Sequence, residues 1–162
     1  MSERPPENRQ RIARVTLDEH TVVRRSPEVE HERAVAIFDL LEDNHFAPAG
    51  DDRGPYDLHL AIEENRLAIS VSTQAGAPVD KIALALASFR RLVKDYFTVC
   101  ESYYAAIKRS TPGQIEAIDM GRRSLHNEGA ELLRQRLADR VAVDPGTARR
   151  LFTLLCVLHI RG

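Results

Sequence analysis

Tryptophan is missing from this chain of 162 residues, cysteine and methionine occur twice each, and aromatic residues make up only 6%. Two thiols cannot staple a small secreted scaffold, and Cys100 and Cys156 both sit in apolar helical contexts, so a reducing, cytoplasmic setting is expected. No signal-like apolar run follows the charged N-terminus, and no uninterrupted apolar stretch is long enough to span a bilayer. Local catalytic signatures are missing as well. The sequence has no Gly-rich phosphate loop, no Gly-x-Ser-x-Gly elbow, no Cys-x-x-Cys pair, no dinucleotide fingerprint and no His-Glu-x-x-His. The acids between Asn44 and Pro55 lack the alternate spacing and closing glutamate of a calcium loop. No metal site and no cofactor is therefore expected.

Net charge is −1, yet its distribution is uneven. Residues 28–87 hold 12 acidic against 4 basic side chains, and residues 88–162 hold 8 against 13. Two readings follow: an acidic half folds against a basic half, or the basic helices face an anion or an acidic partner. A pI near 6.6 argues against a dedicated nucleic-acid binder.

What is present reads as architecture. Residues 1–10 have no apolar periodicity and form a disordered lead-in, and residues 11–162 make one domain, long enough to bury a core without staples. Arg11 to Leu17 is strand-like, with a second extended piece at Thr21 to Val23. Ser26 and Pro27 cap a helix running to about Asp43, whose buried face is Ala34, Ile37, Phe38 and Leu41, with His31 half-buried beside them and Glu30 pairing with Arg33. Asn44 to Pro55 is a loop. Tyr56 to Ile62 and Leu67 to Val71 alternate about an Glu64-Asn65 turn, and Val79 to Leu86 adds a third strand of an antiparallel meander, leaving His59 on the wetter face. Ser88 caps a long helix with Phe89, Leu92, Val93, Tyr96, Cys100, Tyr103 and Ile107 inward, its tyrosine hydroxyls at a wet edge. Asp144 and Pro145 open a last helix, apolar nearly all round from Leu151 to Ile160. It is either buried among its neighbours or the contact of a homo-oligomer.

The stretch Thr111 to Leu137 carries the candidate site. Thr111, Pro112 and Gln114 spell a capping box with proline at the first helical position. Ile115, Ile118, Leu125 and Leu132 mark one face, with Arg122 and Gly129 in its gaps. On the adjoining row Asp119, Arg122 and His126 precede Ala130, Leu133 and Leu137, so three polar residues share a surface that becomes apolar. Gly121 and Gly129 weaken the helix, and the close approach of another backbone would compensate. Two readings fit the polar residues. In one, Asp119 pairs with Arg123, Arg122 reaches an acidic partner, and His126 is a satisfied, partly buried histidine. In the other, Arg122 and Arg123 bind an anion, His126 titrates near neutral pH, and Asn127 with Glu128 completes a polar wall, joined by Arg90, Arg91 and His31 from other helices. The cluster Arg90, Arg91 and Lys94 is unfavourable at a helix start, which an external anion, Asp95 or the acidic hairpin would relieve.

The stretches EHERAVAIFDLLEDNHF, FRRLVKDYFTVCESYYAAI, QIEAIDMGRRSLHNEGAELL and DPGTARRLFTLLCVLHIRG resemble an uncharacterised family of alphaproteobacterial proteins with a placeholder name. The resemblance implies a bacterial protein and brings no activity, cofactor or catalytic residue with it. The expected fold is α+β, a small antiparallel meander of three to four strands packed with about four helices. The expected function is a non-catalytic protein-binding or regulatory module. The alternative is a small-anion or phosphometabolite site, open to catalysis, on the Arg/His/Asp cluster.

Overall fold

The structure, a computed structural model, describes residues 9–19, 27–109 and 111–159. The first eight residues of the expected lead-in, the extended piece at Thr21 to Val23 and the cap at Ser26 lie outside the described residues. The chain runs β1 (Ile12–Leu17), α1 (Pro27–Glu42), β2 (Phe46–Pro48), β3 (Tyr56–Glu63), β4 (Arg66–Thr73), β5 (Pro78–Ala85), a 3-10 turn (Leu86–Phe89), α2 (Arg90–Arg109), α3 (Pro112–Leu137), β6 (Val141–Val143) and α4 (Pro145–His159). This is an α+β fold. The main sheet has the order β1-β3-β4-β5, and a two-stranded sheet joins β2 to β6.

The meander β3-β4-β5 is antiparallel as its alternation implies. Its first turn is a two-residue connection in which Glu64 and Asn65 both have positive φ, 52° and 63°, the backbone that matches strand twist in a tight hairpin. Tyr56, Leu58 and Leu60 are buried, while His59 faces outward and its Nδ1 lies 2.7 Å from the Thr16 hydroxyl. The edge strand departs from the expectation: β1 pairs with β3 in parallel, so the sheet is mixed. A parallel pair needs a crossover, and α1 supplies it. Buried Asn44 fixes the join, because its side chain accepts from the Ile12 amide (2.7 Å) and donates to the carbonyls of Ile12 (3.0 Å) and Leu40 (2.8 Å).

The helical layer is organised on α4. From Leu151 to Leu158 every residue is buried, and α4 is packed by α1, α3, α2 and β3. From Leu151 to Leu158 its apolar surface is covered by these neighbours. Asp144 caps it, accepting from the Thr147 amide at 2.8 Å. The capping box of α3 is formed, Gln114 N donating to the Thr111 hydroxyl and Thr111 N to the Gln114 side chain.

Four local expectations are corrected. The buried residues of α1 are Ala36 and Leu40, whereas Ala34, Val35, Phe38 and Leu41 are exposed and His31 lies in solvent. Arg33 meets Glu19 at 2.5 Å rather than Glu30. Ser88 does not cap α2: the chain leaves β5 through the 3-10 turn, driven by burial of Leu86 and Phe89, and α2 begins at Arg90 with Ile107 exposed near its end. The predicted loop at Asn44 to Pro55 also contains β2, whose partner β6 lies almost a hundred residues on.

The two α3 glycines have opposite roles. A Cβ on Gly129 would stand 2.5 Å from the Phe152 ring, so the close approach there is by a side chain, not a backbone, while Gly121 faces open space. Gly129→Ala should lower stability by about 1–3 kcal/mol through overpacking. Gly121→Ala should raise it by about 0.4–1 kcal/mol by restricting the unfolded chain and favouring helix. Urea unfolding of the two variants beside the wild type measures both.

Candidate functional site

Helices α1, α3 and α4 enclose a groove of about 270 Å³. Helix α3 contributes Arg122, Arg123 and His126, with His126 four and three residues beyond the two arginines and so on their side of the helix. From α1 come Glu32, Val35 and Asp39. Helix α4 adds Arg149, Arg150 and Thr153. The inward row of α3 is the second of the two read from sequence: Ala130, Leu133 and Leu137 are buried, while Ile115, Ile118, Leu125 and Leu132 are half-buried.

Arg122 is held from three sides. Its guanidinium reaches Glu32 at 2.9 Å and Asp119 at 3.0 Å, and lies over the Tyr103 ring with 4.5 Å to the centroid. Burial works against the cation, but Glu32 and Asp119 outweigh it and hold its pKa above the ordinary arginine value. Asp119 also takes Arg123 at 2.8 Å. Glu32 accepts in addition from the Tyr104 hydroxyl at 2.8 Å, and burial with that carboxylate beside it pushes the phenol up. Both pairings of the ion-pair reading, Asp119 with Arg123 and Arg122 with a carboxylate, are therefore present.

His126 does not titrate near neutrality. Burial first, then the positive charges of Arg122 and Arg149, lower it from 6.5 to about 4. Its ring packs against Tyr96, centroids 5.1 Å apart, and its Nε2 lies 3.4 Å from the Thr153 hydroxyl. At pH 7 it is neutral, with Asp119 already engaged by two arginines.

Arg149 and Arg150 were not anticipated. Neither forms a salt bridge among the described residues. A signal for them exists in the sequence, since Gly146, Arg149, Arg150 and Thr153 recur at steps of three and four along a helix otherwise apolar. The remaining sequence candidates stay outside the groove. Glu128 is exposed and bonds Arg91 at 2.5 Å, and Arg91 also reaches Asp95 at 3.2 Å, which relieves the basic start of α2 internally. Asn127, Arg90 and His31 are exposed away from the groove lining. Among the described residues, no three His, Cys, Asp or Glu side chains come together to hold a metal, and no helix is long and apolar enough to cross a membrane.

Sheet, helical layer and groove together define an α+β domain, and no solved structure matches it. The chain belongs to the uncharacterised protein family UPF0262, whose family model matches residues 9–161. It is 60% identical over 155 residues to a UPF0262 protein of Paramagnetospirillum magneticum, covering 96% of this chain and 99% of that protein. A UPF0262 protein of Azorhizobium caulinodans is 56% identical over an alignment of 164 residues that covers both chains completely. One from Rhodospirillum rubrum is 62% identical over 148 residues, 91% of each chain.

The lowered pKa of His126 sets a pH dependence. Between its unfolded value near 6.5 and its folded value of about 4, the unfolded chain binds a proton that the folded chain refuses. The contribution to stability is complete above pH 6.5 and is lost as pH falls towards 4, with a limiting slope of about 1.4 kcal/mol per pH unit from this group. Urea unfolding at pH 7 and pH 5 should show a smaller pH difference in His126→Asn than in the wild type. In proton NMR the His126 ring signals should stay fixed between pH 8 and 6.

Proposed function

We propose that the protein is a non-catalytic binding module that docks an acidic, partly apolar segment of another protein against α1 and α4. The observation that carries this reading is the juxtaposition of two unlike surfaces. Val35, Phe38 and Leu41 are 40%, 65% and 39% exposed along one side of α1. Val35 also lines the groove that holds Arg149 and Arg150. Exposed apolar side chains in a row mark interaction surfaces more often than chance placement does. Two adjacent arginines in the first half of α4 oppose the positive end of its helix dipole, and carboxylates from outside would relieve them. An amphipathic acidic segment satisfies both demands: apolar side chains on Val35 and Phe38, carboxylates on Arg149 and Arg150.

The small-anion reading has less support. Arg122 is committed to two carboxylates and Arg123 to one, so only the α4 pair is available to a phosphate. Catalysis has less still, because His126 is neutral and Asp119 is neutralised by arginine. A cytoplasmic setting is supported by the free, buried thiols of Cys100 and Cys156.

A fluorescent 16-residue peptide with leucines at helical spacing and glutamates flanking them, followed by anisotropy, tests the proposal. Binding should weaken at least tenfold in Arg149→Glu/Arg150→Glu and in Phe38→Ser, and should fall with added salt. Equal binding by Phe38→Ser together with competition by inorganic phosphate would favour the anion site. Concentration-dependent dimerisation lost in Phe38→Ser would assign the face to a second copy.

A further inference from the structure

Nearer the start of α1, with Glu32 common to both walls, lies a second cavity of about 350 Å³ between α1, α2 and α4. The volume falls within the range of about 300–1,000 Å³ that small-molecule sites occupy. Its walls are mainly apolar, made by Val29, Phe97, Cys100 and Val157, with Glu28, Glu101 and Lys108 around the side chains at its edge. It is independent of the docking face on α1, which lies two turns further on.

Tyr96 lines this cavity, is 1% exposed, and its hydroxyl has no hydrogen-bond partner. Among the described residues it is the only buried side-chain polar atom in that position. The charged or ionisable groups its oxygen feels most are the Cys100 thiol and Glu32, both of which line the same cavity. The orphaned end of the tyrosine is therefore at the cavity wall. Buried polar groups are nearly always satisfied, so an unmet donor beside a void asks for an acceptor. Burial keeps the phenol protonated, leaving a permanent O–H donor. The carboxylates of Glu28, Glu32 and Glu101 on the lining disfavour an anionic group there.

We propose that the cavity binds a small, uncharged, largely apolar molecule with one acceptor oxygen. That oxygen takes the Tyr96 hydrogen bond while the body packs on Val29, Phe97, Cys100 and Val157. Cys100 serves as an apolar wall, its thiol pushed up to about 11 by burial and so unreactive at neutral pH.

The test uses ¹⁹F NMR with two probes, 4-fluoroacetophenone, which has a carbonyl oxygen, and fluorobenzene, which has none. The ketone signal should broaden and shift on titration with the wild type, and its affinity should fall roughly five- to tenfold in Tyr96→Phe, the loss of one hydrogen bond. Fluorobenzene should bind wild type and Tyr96→Phe alike. Ala105→Trp, at an exposed position on the lining, should block both probes without touching the core. Thermal unfolding of free Tyr96→Phe should have a midpoint at or above that of the wild type, because an unmet donor has been deleted. No response of the ketone with wild type, equal ketone affinity in Tyr96→Phe, or a lowered midpoint for that free variant would each overturn the assignment.

Discussion

The physical constraint on which this fold depends is the second half of α4, which has no face to give to water. From Leu151 to Leu158 its side chains are apolar apart from Thr153, and each is buried. A helix of that kind must be surrounded. Here α1 and α3 flank it, α2 and the sheet close the remaining sides, and the other elements take their positions from that requirement. Helix α3 comes close at Gly129, where any side chain would collide with the Phe152 ring. The two buried threonines of α4 are both satisfied: Thr147 accepts from the His45 amide at 2.9 Å, and Thr153 donates to the Arg149 carbonyl at 3.1 Å. Burial of α4 therefore leaves none of its polar side chains orphaned.

Covering α4 from both sides brings α1 and α3 together, and their contact is made with charge. Glu32 and Arg122 are only 14% and 21% exposed at the side chain, so their attraction is screened less than that of a surface pair. Such a pair is held less for net stability than for geometry, since desolvation offsets much of the Coulomb gain. Two consequences follow for the neighbours. Burial first and then the guanidinium keep His126 neutral, and the carboxylate, receiving both Arg122 and Tyr104, stands as the common wall of the groove and the apolar cavity.

Elements whose determinants are local could be read from the chain, and those decided by tertiary partners could not. The Thr111–Gln114 box, the Asp144 cap and the Glu64-Asn65 turn are set by residues within a few positions of each other, and all three stand in the structure. The β2–β6 pairing joins segments almost a hundred residues apart with three residues each, too short for periodicity to register. Helix α1 misled for a different reason. It carries apolar residues on two sides, and periodicity alone does not say whether Ala36 and Leu40 or Phe38 and Leu41 face inward. The smaller pair is inside because α4 lies close against it, and the larger pair is left in solvent. Asp119, Arg122 and His126 were legible as sharing one surface, whereas Glu32, on another helix, was not legible as the acid that Arg122 meets. Arg149 and Arg150 lay within a helix whose overall hydrophobicity hid its one polar stripe.

The uneven charge of the chain resolves in the same terms. The first of its two sequence readings holds for several residues. Acidic and basic halves do meet: Asp80 pairs with Arg140 between β5 and the segment before β6, and Glu32 pairs with Arg122. Within the basic half, Arg91 and Arg123 find carboxylates on α2 and α3. These pairings do not include Arg149 and Arg150, which are adjacent on α4 and line the groove together. Two adjacent cations make a local charge, and a local charge beside exposed Val35 and Phe38 can select a partner where a diffuse one could only attract.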